Sequence, residues 1–187
     1  RRDDGIARVV INRPNKRNAL NDEVRHALIA ELPVLLRDET VHALVLTGEG
    51  GHFCSGGDIA SMDGLDCRGA RVRMKDNHTI VRLLAESEKP VVTAVEGYAV
   101  GAGAGLAMLG DTAVIADSGT IGFPFFRVGL IPDYGILHTL PRRVGGAKAR
   151  QVLLYAQMVK ASDAVAWGLA DELVADGKAE GVAIERA

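Results

Sequence analysis

Hydrophobic positions along this chain follow two alternating rhythms: short β-branched runs, and stretches with helical spacing. Residues 6–11 end at Asn12-Arg13-Pro14 and read as a strand followed by a turn. Asn21, Asp22 and Glu23 supply an N-cap and two acids for a first helical turn. Val24, Ala27, Leu28, Leu32 and Leu35 continue that helix, and Pro33 predicts a kink or an early end. Residues 41–47 form a second apolar run, broken by Gly48-Glu49-Gly50-Gly51. Beyond Ser55-Gly56-Gly57-Asp58, residues 63–77 are polar and poorly patterned, and a helix is expected over 79–84. Pro90 introduces the most apolar strand, 91–95, which enters a glycine-rich loop and then a short helix at 106–109. Residues 112–116 predict another buried strand. Three further helices are predicted: one capped by Asp133 and ended by Pro141, one over 145–155, and one capped by Ser162 and stopped at Gly168. Strands alternating with helices predict an α/β architecture.

Composition narrows the function classes. The 187 residues are 48% hydrophobic, which supports one globular domain over 1–187 and excludes general disorder. Lys and Arg number 22 and Asp and Glu 24, a formal net charge of −2 that gives no footprint for nucleic acid or an anionic membrane. The longest apolar stretch, 91–109, is broken by Glu96 and by glycines, so no membrane span is expected. Arg1-Arg2-Asp3-Asp4 is followed by no apolar signal-peptide segment. Cys54 and Cys67 make neither a disulfide framework nor a metal-binding pattern, so a reducing cytoplasm is the expected compartment and no metal is expected.

Aromatics are only 4% while glycines number 22, and the glycines concentrate where strands lead towards helices. A dinucleotide cradle needs G-x-G-x-x-G. From Gly101 the last position falls on Leu106 and from Gly103 on Met108, so neither frame fits. An oxyanion hole fits better. The N–H groups of Gly57 and Ala102 carry small neighbours, and Ala102 stands where a helix begins, with its orphan donors and partial positive charge. Close packing of a helix start against a sheet selects the same small residues.

Several ordered segments carry a resemblance. Asn12-Arg13-Pro14 with Asn18-Ala19-Leu20-Asn21 comes first, then Leu44 to Gly48 and Phe53-Cys54-Ser55-Gly56-Gly57-Asp58-Ile59. Lys89-Pro90-Val91, Glu96-Gly97-Tyr98-Ala99, Gly101-Ala102-Gly103 and Asp111 follow, then Val128 to Pro132, Leu140-Pro141-Arg142 and Gly168-Leu169-Ala170. Together they resemble the crotonase (enoyl-CoA hydratase/isomerase) superfamily over nearly the whole chain. The resemblance implies a ββα spiral core, a homotrimer or dimer of trimers, and acyl-CoA thioester substrates, with coenzyme A as part of the substrate and no separate cofactor. It places the thioester oxygen at the N–H groups of Gly57 and Ala102. It places the CoA beside Arg17, Ala19, Leu20, Ser55, Asp58 and Ile59, with Gly101, Pro124 and Phe125 also at the substrate. The resemblance also implies a C-terminal helical layer, which is expected to be largely absent from residues 1–187.

The chain departs from the hydratase pattern at two positions. Gly105 and Phe125 stand where the two water-activating glutamates of hydratases are expected. The remaining acid, Asp133, resembles the aspartate that moves protons in dienoyl-CoA and ring-epoxyphenylacetyl-CoA isomerases. Asp133 is therefore read either as a proton shuttle or as a helix cap. The other candidates have structural alternatives of equal or greater weight. Asp58 fits a turn, His52 an exposed loop, Glu96 a paired acid at a strand end, and His138, which could pair with Asp133 across one helical turn, a partly buried structural histidine. Phe123, Phe125 and Phe126 fit either an acyl pocket or the core. The leading expectation is an enoyl-CoA double-bond isomerase. The alternatives are a hydratase with atypical acid/base residues, a non-catalytic acyl-CoA binder, and a hydrolase using Ser55, which lacks the usual nucleophile elbow.

Overall fold

The computed structural model describes residues 2–187. In chain order it runs β1 (Arg2–Asp3), β2 (Ile6–Ile11), α1 (Asp22–Arg37), β3 (Ala43–Gly48), α2 (Cys67–Ala85) and β4 (Val91–Val95). Next come β5 (Tyr98–Val100), α3 (Ala102–Met108), β6 (Thr112–Ala116), β7 (Thr120–Gly122) and α4 (Ile136–Val144). The chain closes with α5 (Gly146–Leu154), β8 (Met158–Lys160), α6 (Ala161–Trp167), β9 (Glu172–Val174) and α7 (Ala179–Arg186).

Among the described residues, six strands form a sheet in the order β1-β2-β3-β4-β6-β9, parallel except for β1, and β5-β7-β8 form a second sheet. Strand pairs adjacent in sequence part company: β4 and β6 join the large sheet, while β5 and β7 join the small one. Both faces of the large sheet are covered, as a parallel sheet requires. Leu44, Leu46, Val91, Val95 and Ile115 point into the main core. Their sequence neighbours Val45, Val92, Ala94 and Val114 pack with Ala179 and Ala183 of α7 on the other face. That explains why 91–95 and 112–116 read as unbroken apolar runs with no alternation.

Four sequence expectations need correction. Helix α1 begins as expected, with the Asn21 side chain accepting from Val24 N–H at 3.0 Å. It then passes through Pro33 to Arg37, because buried Leu32 and half-buried Leu35 and Leu36 hold the last turns against the core. Proline removes one hydrogen bond, and packing on either side of it outweighs that loss. Pro141 likewise lies inside α4, between buried Leu140 and half-buried Val144. Helix α2 is far longer than 79–84 and starts at Cys67, capped by Asp66, which accepts from Gly69 N–H at 2.7 Å. Its buried stripe is Arg73, Asn77, Ile80 and Leu84, polar over its first half, so hydrophobic periodicity reveals only the second half. Ser162 is the second residue of α6 and makes no cap, whereas Gly168 stops the helix in the left-handed conformation as expected.

Asn18 ties the N-terminal turn to the loop after β3. It is fully buried at φ 59°, its Oδ1 accepts from Arg13 N–H at 2.8 Å, and its Nδ2 donates to the carbonyls of Glu49 and His52 at 2.8 and 2.6 Å. Asn18→Ala would strand those groups, each unsatisfied buried group costing roughly 1–3 kcal/mol. A loss of about 2–4 kcal/mol in urea unfolding is the expected outcome.

Candidate active site

The loop at 54–58 is clamped on both sides by backbone hydrogen bonds. Leu20 N–H donates to Gly56 O at 2.8 Å and Asp58 N–H to Leu20 O at 3.1 Å. On the other side Cys54 N–H donates to Tyr98 O at 2.8 Å and Val100 N–H to Cys54 O at 2.9 Å. Gly56 has φ +101°, and a Cβ there would lie 2.7 Å from Val100 O and 3.6 Å from Ala102 N. Only glycine therefore brings this loop up to the first residue of α3. The zipper uses the amides around Gly57 but not its own. Neither the Gly57 nor the Ala102 amide has an acceptor among the described residues. Both residues line one cavity of about 100 Å³.

Asp133 lines the same cavity, and the structure removes its capping role. Helix α4 begins at Ile136 after Gly135, with no side-chain cap. The Asp133 carboxylate instead accepts from Asn77 Nδ2 at 3.1 Å, and Asn77 Oδ1 accepts from the Tyr134 hydroxyl at 3.1 Å. Burial pushes the Asp133 carboxyl above the usual carboxylate range, opposed by its own backbone N–H, by Arg73 and by Asn77. The Tyr134 hydroxyl is likewise pushed up by burial. Tyr134 is 2% exposed and holds φ 49°, so the segment that carries Asp133 is fixed by packing rather than by a cap.

Of the other expected site residues, Leu20, Ser55, Ile59, Gly101, Pro124 and Phe125 line this cavity, while Arg17, Ala19 and Asp58 do not. Those three belong to the strip beside it. Arg13 Nη1 donates to Ala19 O at 3.0 Å and to Asp58 Oδ2 at 2.8 Å, and Asp58 also accepts from Ala60 N–H at 3.2 Å. The Arg13 guanidinium holds the Asp58 carboxyl below its ordinary value, and the turn role stands. Arg17 is exposed, with its guanidinium 5.7 Å from the Tyr98 ring centroid.

The remaining candidates resolve into packing. Ser55 Oγ donates to Lys16 O at 3.2 Å, which occupies the hydroxyl a hydrolase would need. Cys54 is buried and its thiol is pushed up to about 12 by burial, so it is unreactive. His52 stacks on Tyr98, and His138 pairs with Arg142 rather than Asp133. Glu96 accepts from Ala179 N–H at 3.1 Å at the start of α7. Phe123 is core, Phe126 is 46% exposed, and Phe125 alone of the three reaches the cavity. Arg25, Arg73, Asn77 and Tyr134 also line it and escape the sequence reading. Polar residues on amphipathic helices carry no signal that separates an inward polar position from an outward one.

Residues 1–187 match the enoyl-CoA hydratase/isomerase family throughout. The chain belongs to this family. It is 38% identical to the 1,2-epoxyphenylacetyl-CoA isomerase of Escherichia coli (strain K12), over 92% of this chain and 67% of that protein. It is 34% identical to the crotonyl-CoA hydratase of Syntrophomonas wolfei, over 92% of this chain and 67% of that protein. A crystal structure of an enoyl-CoA hydratase from Polaromonas sp. JS666 superposes with a TM-score of 0.93 at 28% identity, covering all of this chain and 74% of that one. The chain thus spans about two thirds of the length of these curated relatives. Its crotonase fold is as expected, and its relatives carry both isomerase and hydratase names.

Within this enoyl-CoA hydratase/isomerase chain, Gly105 has no room for a side chain. Gly105 is buried in α3, and a Cβ there would lie 2.5 Å from Tyr134 Cβ and 2.7 Å from Tyr134 O. The segment carrying Asp133 occupies that space. Gly105→Glu is expected to lower the melting temperature, since overpacking alone costs about 1–3 kcal/mol. It should gain no hydration of an enoyl-CoA, measured by absorbance.

Proposed function

We propose that this protein shifts the double bond of an enoyl-CoA thioester by moving one proton through Asp133. The carrying observation is that, among the described residues, Asp133 is the single carboxylate on the wall of a cavity that also holds two amides without acceptors. The thioester oxygen sits between the Gly57 and Ala102 N–H groups, where negative charge develops as the enolate forms. Asp133 takes the α-proton from a 3-enoyl thioester and returns it at the γ-carbon, giving the 2-enoyl isomer. One base suffices because a proton leaves one carbon and reaches another. Hydration requires a second acid or base to deliver water, and no second carboxylate lines the cavity. Asn77 orients the carboxylate, and burial holds its affinity for a proton above that of a solvated aspartate, as a shuttle needs.

The CoA portion runs along the strip at Arg17, Ala19, Ser55 and Asp58. The chemistry is redox-neutral and uses no cofactor beyond the CoA of the substrate. A cytoplasmic homotrimer or dimer of trimers completes the reading. Incubation with 2-enoyl-, 3-enoyl- and dienoyl-CoA panels tests it. Isomerisation leaves the product mass unchanged, whereas gain of the mass of water would overturn it in favour of hydration.

A further inference from the structure

Two cations line the cavity beside Asp133, and neither has a role in the proton shuttle. Arg25 is 2% exposed and Arg73 is 7% exposed. Arg25 Nη1 donates to Leu20 O at 3.0 Å, and its Nε is buried without a hydrogen-bond partner among the described residues. Arg73 Nη1 donates to Ser61 Oγ at 2.8 Å, while its Nη2 stands beside Gly57, 3.3 Å from where a Cβ would be. One acid outside the cavity lining is shared between them. Asp22, with a 65% exposed side chain, pairs with Arg25 Nη2 and lies 3.7 Å from Arg73 Nη1. Burial first, and then the neighbouring Arg25 charge, make Arg73 easier to deprotonate than an ordinary arginine, opposed by Asp22, Tyr134 and Asp133. Buried charges of like sign are costly unless an anion meets them.

We infer that Arg73 and Arg25 form an anion-accepting wall in the acyl cavity, and that the preferred acyl group is short and carries a terminal carboxylate. The inference rests on the proposed acyl-CoA site and adds the class of acyl group. The cavity of about 100 Å³ beside the two arginines has room for a small acyl group. The position fits as well, because Arg73 Nη2 lies beside one of the two proposed thioester donors. An acyl chain starting at that donor needs few carbons to reach it. Asp133, the one acid on the wall, is held by Asn77 and keeps its own task.

Titration calorimetry with saturated ligands tests this without any turnover. Succinyl-, glutaryl- and adipyl-CoA are each compared with the branched alkyl thioester of the same shape, in which an isopropyl group replaces the carboxylate. At one or more of these lengths the diacid thioester should bind about 10–100-fold more tightly, the usual worth of charge-assisted hydrogen bonds. In Arg73→Gln, which keeps a donor for Ser61, that ratio should fall towards one. A purely structural arginine would weaken both ligands alike and leave the ratio unchanged. Equal binding of diacid and alkyl thioesters to the wild-type protein at all three lengths overturns the inference alone. Binding of neither overturns the acyl-CoA site itself, and the inference with it.

Discussion

Asp133→Asn should fold like the wild type and bind acyl-CoA with similar affinity, yet lose about 10²–10⁴-fold in turnover, the usual contribution of a positioned proton-transfer group. The structure makes this substitution clean. Asp133 caps no helix, and asparagine can still present an oxygen to Asn77 Nδ2, so the 3.1 Å contact has a substitute. An amide, however, takes no proton near neutral pH. The pH profile should agree. Activity requires the ionised carboxylate, so kcat/KM falls as pH drops through the Asp133 pKa, which burial raises above its ordinary value. The acid limb should therefore lie at higher pH than that of a solvated aspartate. Stability carries the opposite sign. A carboxyl whose folded pKa is raised stabilises the protein below its unfolded pKa, and that contribution is lost as pH rises through the folded value. Asp133→Asn should lack this pH-dependent part of the melting curve. A variant that turns over at the wild-type rate would leave the isomerase with no base.

Ala102→Pro should cost about 10²–10³-fold in turnover with its helix intact, the usual loss for one oxyanion donor. Proline is well suited to the first position of a helix, where its missing N–H has no intrahelical partner in any residue. Gly101, at ψ −120°, is outside the α region that a following proline disfavours. The substitution therefore deletes the donor and little else. Gly57→Pro is a poorer probe, because its ring would crowd the Met62 side chain, 2.9 Å from where a Cβ would be. Unchanged circular dichroism with full activity in Ala102→Pro would remove the thioester from this hole.

Local sequence exposes the elements whose burial is uniform or strictly periodic. The strands at 91–95 and 112–116 were legible to the residue because both faces of the sheet are covered and every position is apolar or nearly so. The first half of α2 was not legible. Arg73 and Asn77 point inward for the cavity, and the apolar stripe that marks a helix is missing there. Gly57 and Ala102 could be picked out because two glycine-rich loops leave a strand for a helix. Asp133 could be picked out as an acid, but not freed from the cap reading, since Pro132-Asp133 resembles a helix start and only the backbone shows that α4 begins three residues later. Tyr134 owes its importance to filling the space above Gly105, a contact across 29 positions of sequence that no local pattern encodes.

The most direct test of the proton shuttle is nuclear magnetic resonance of a 3-enoyl-CoA converted in D₂O. The product should be the 2-enoyl isomer with carbon skeleton and oxygen count unchanged, its new γ-hydrogen being the α-proton carried over, or deuterium in the fraction of turnovers in which the Asp133 proton exchanges with D₂O before its return, and Asp133→Asn should give neither product nor label. A product hydroxylated at the β-carbon, or labelling at an undiminished rate in Asp133→Asn, would contradict the account.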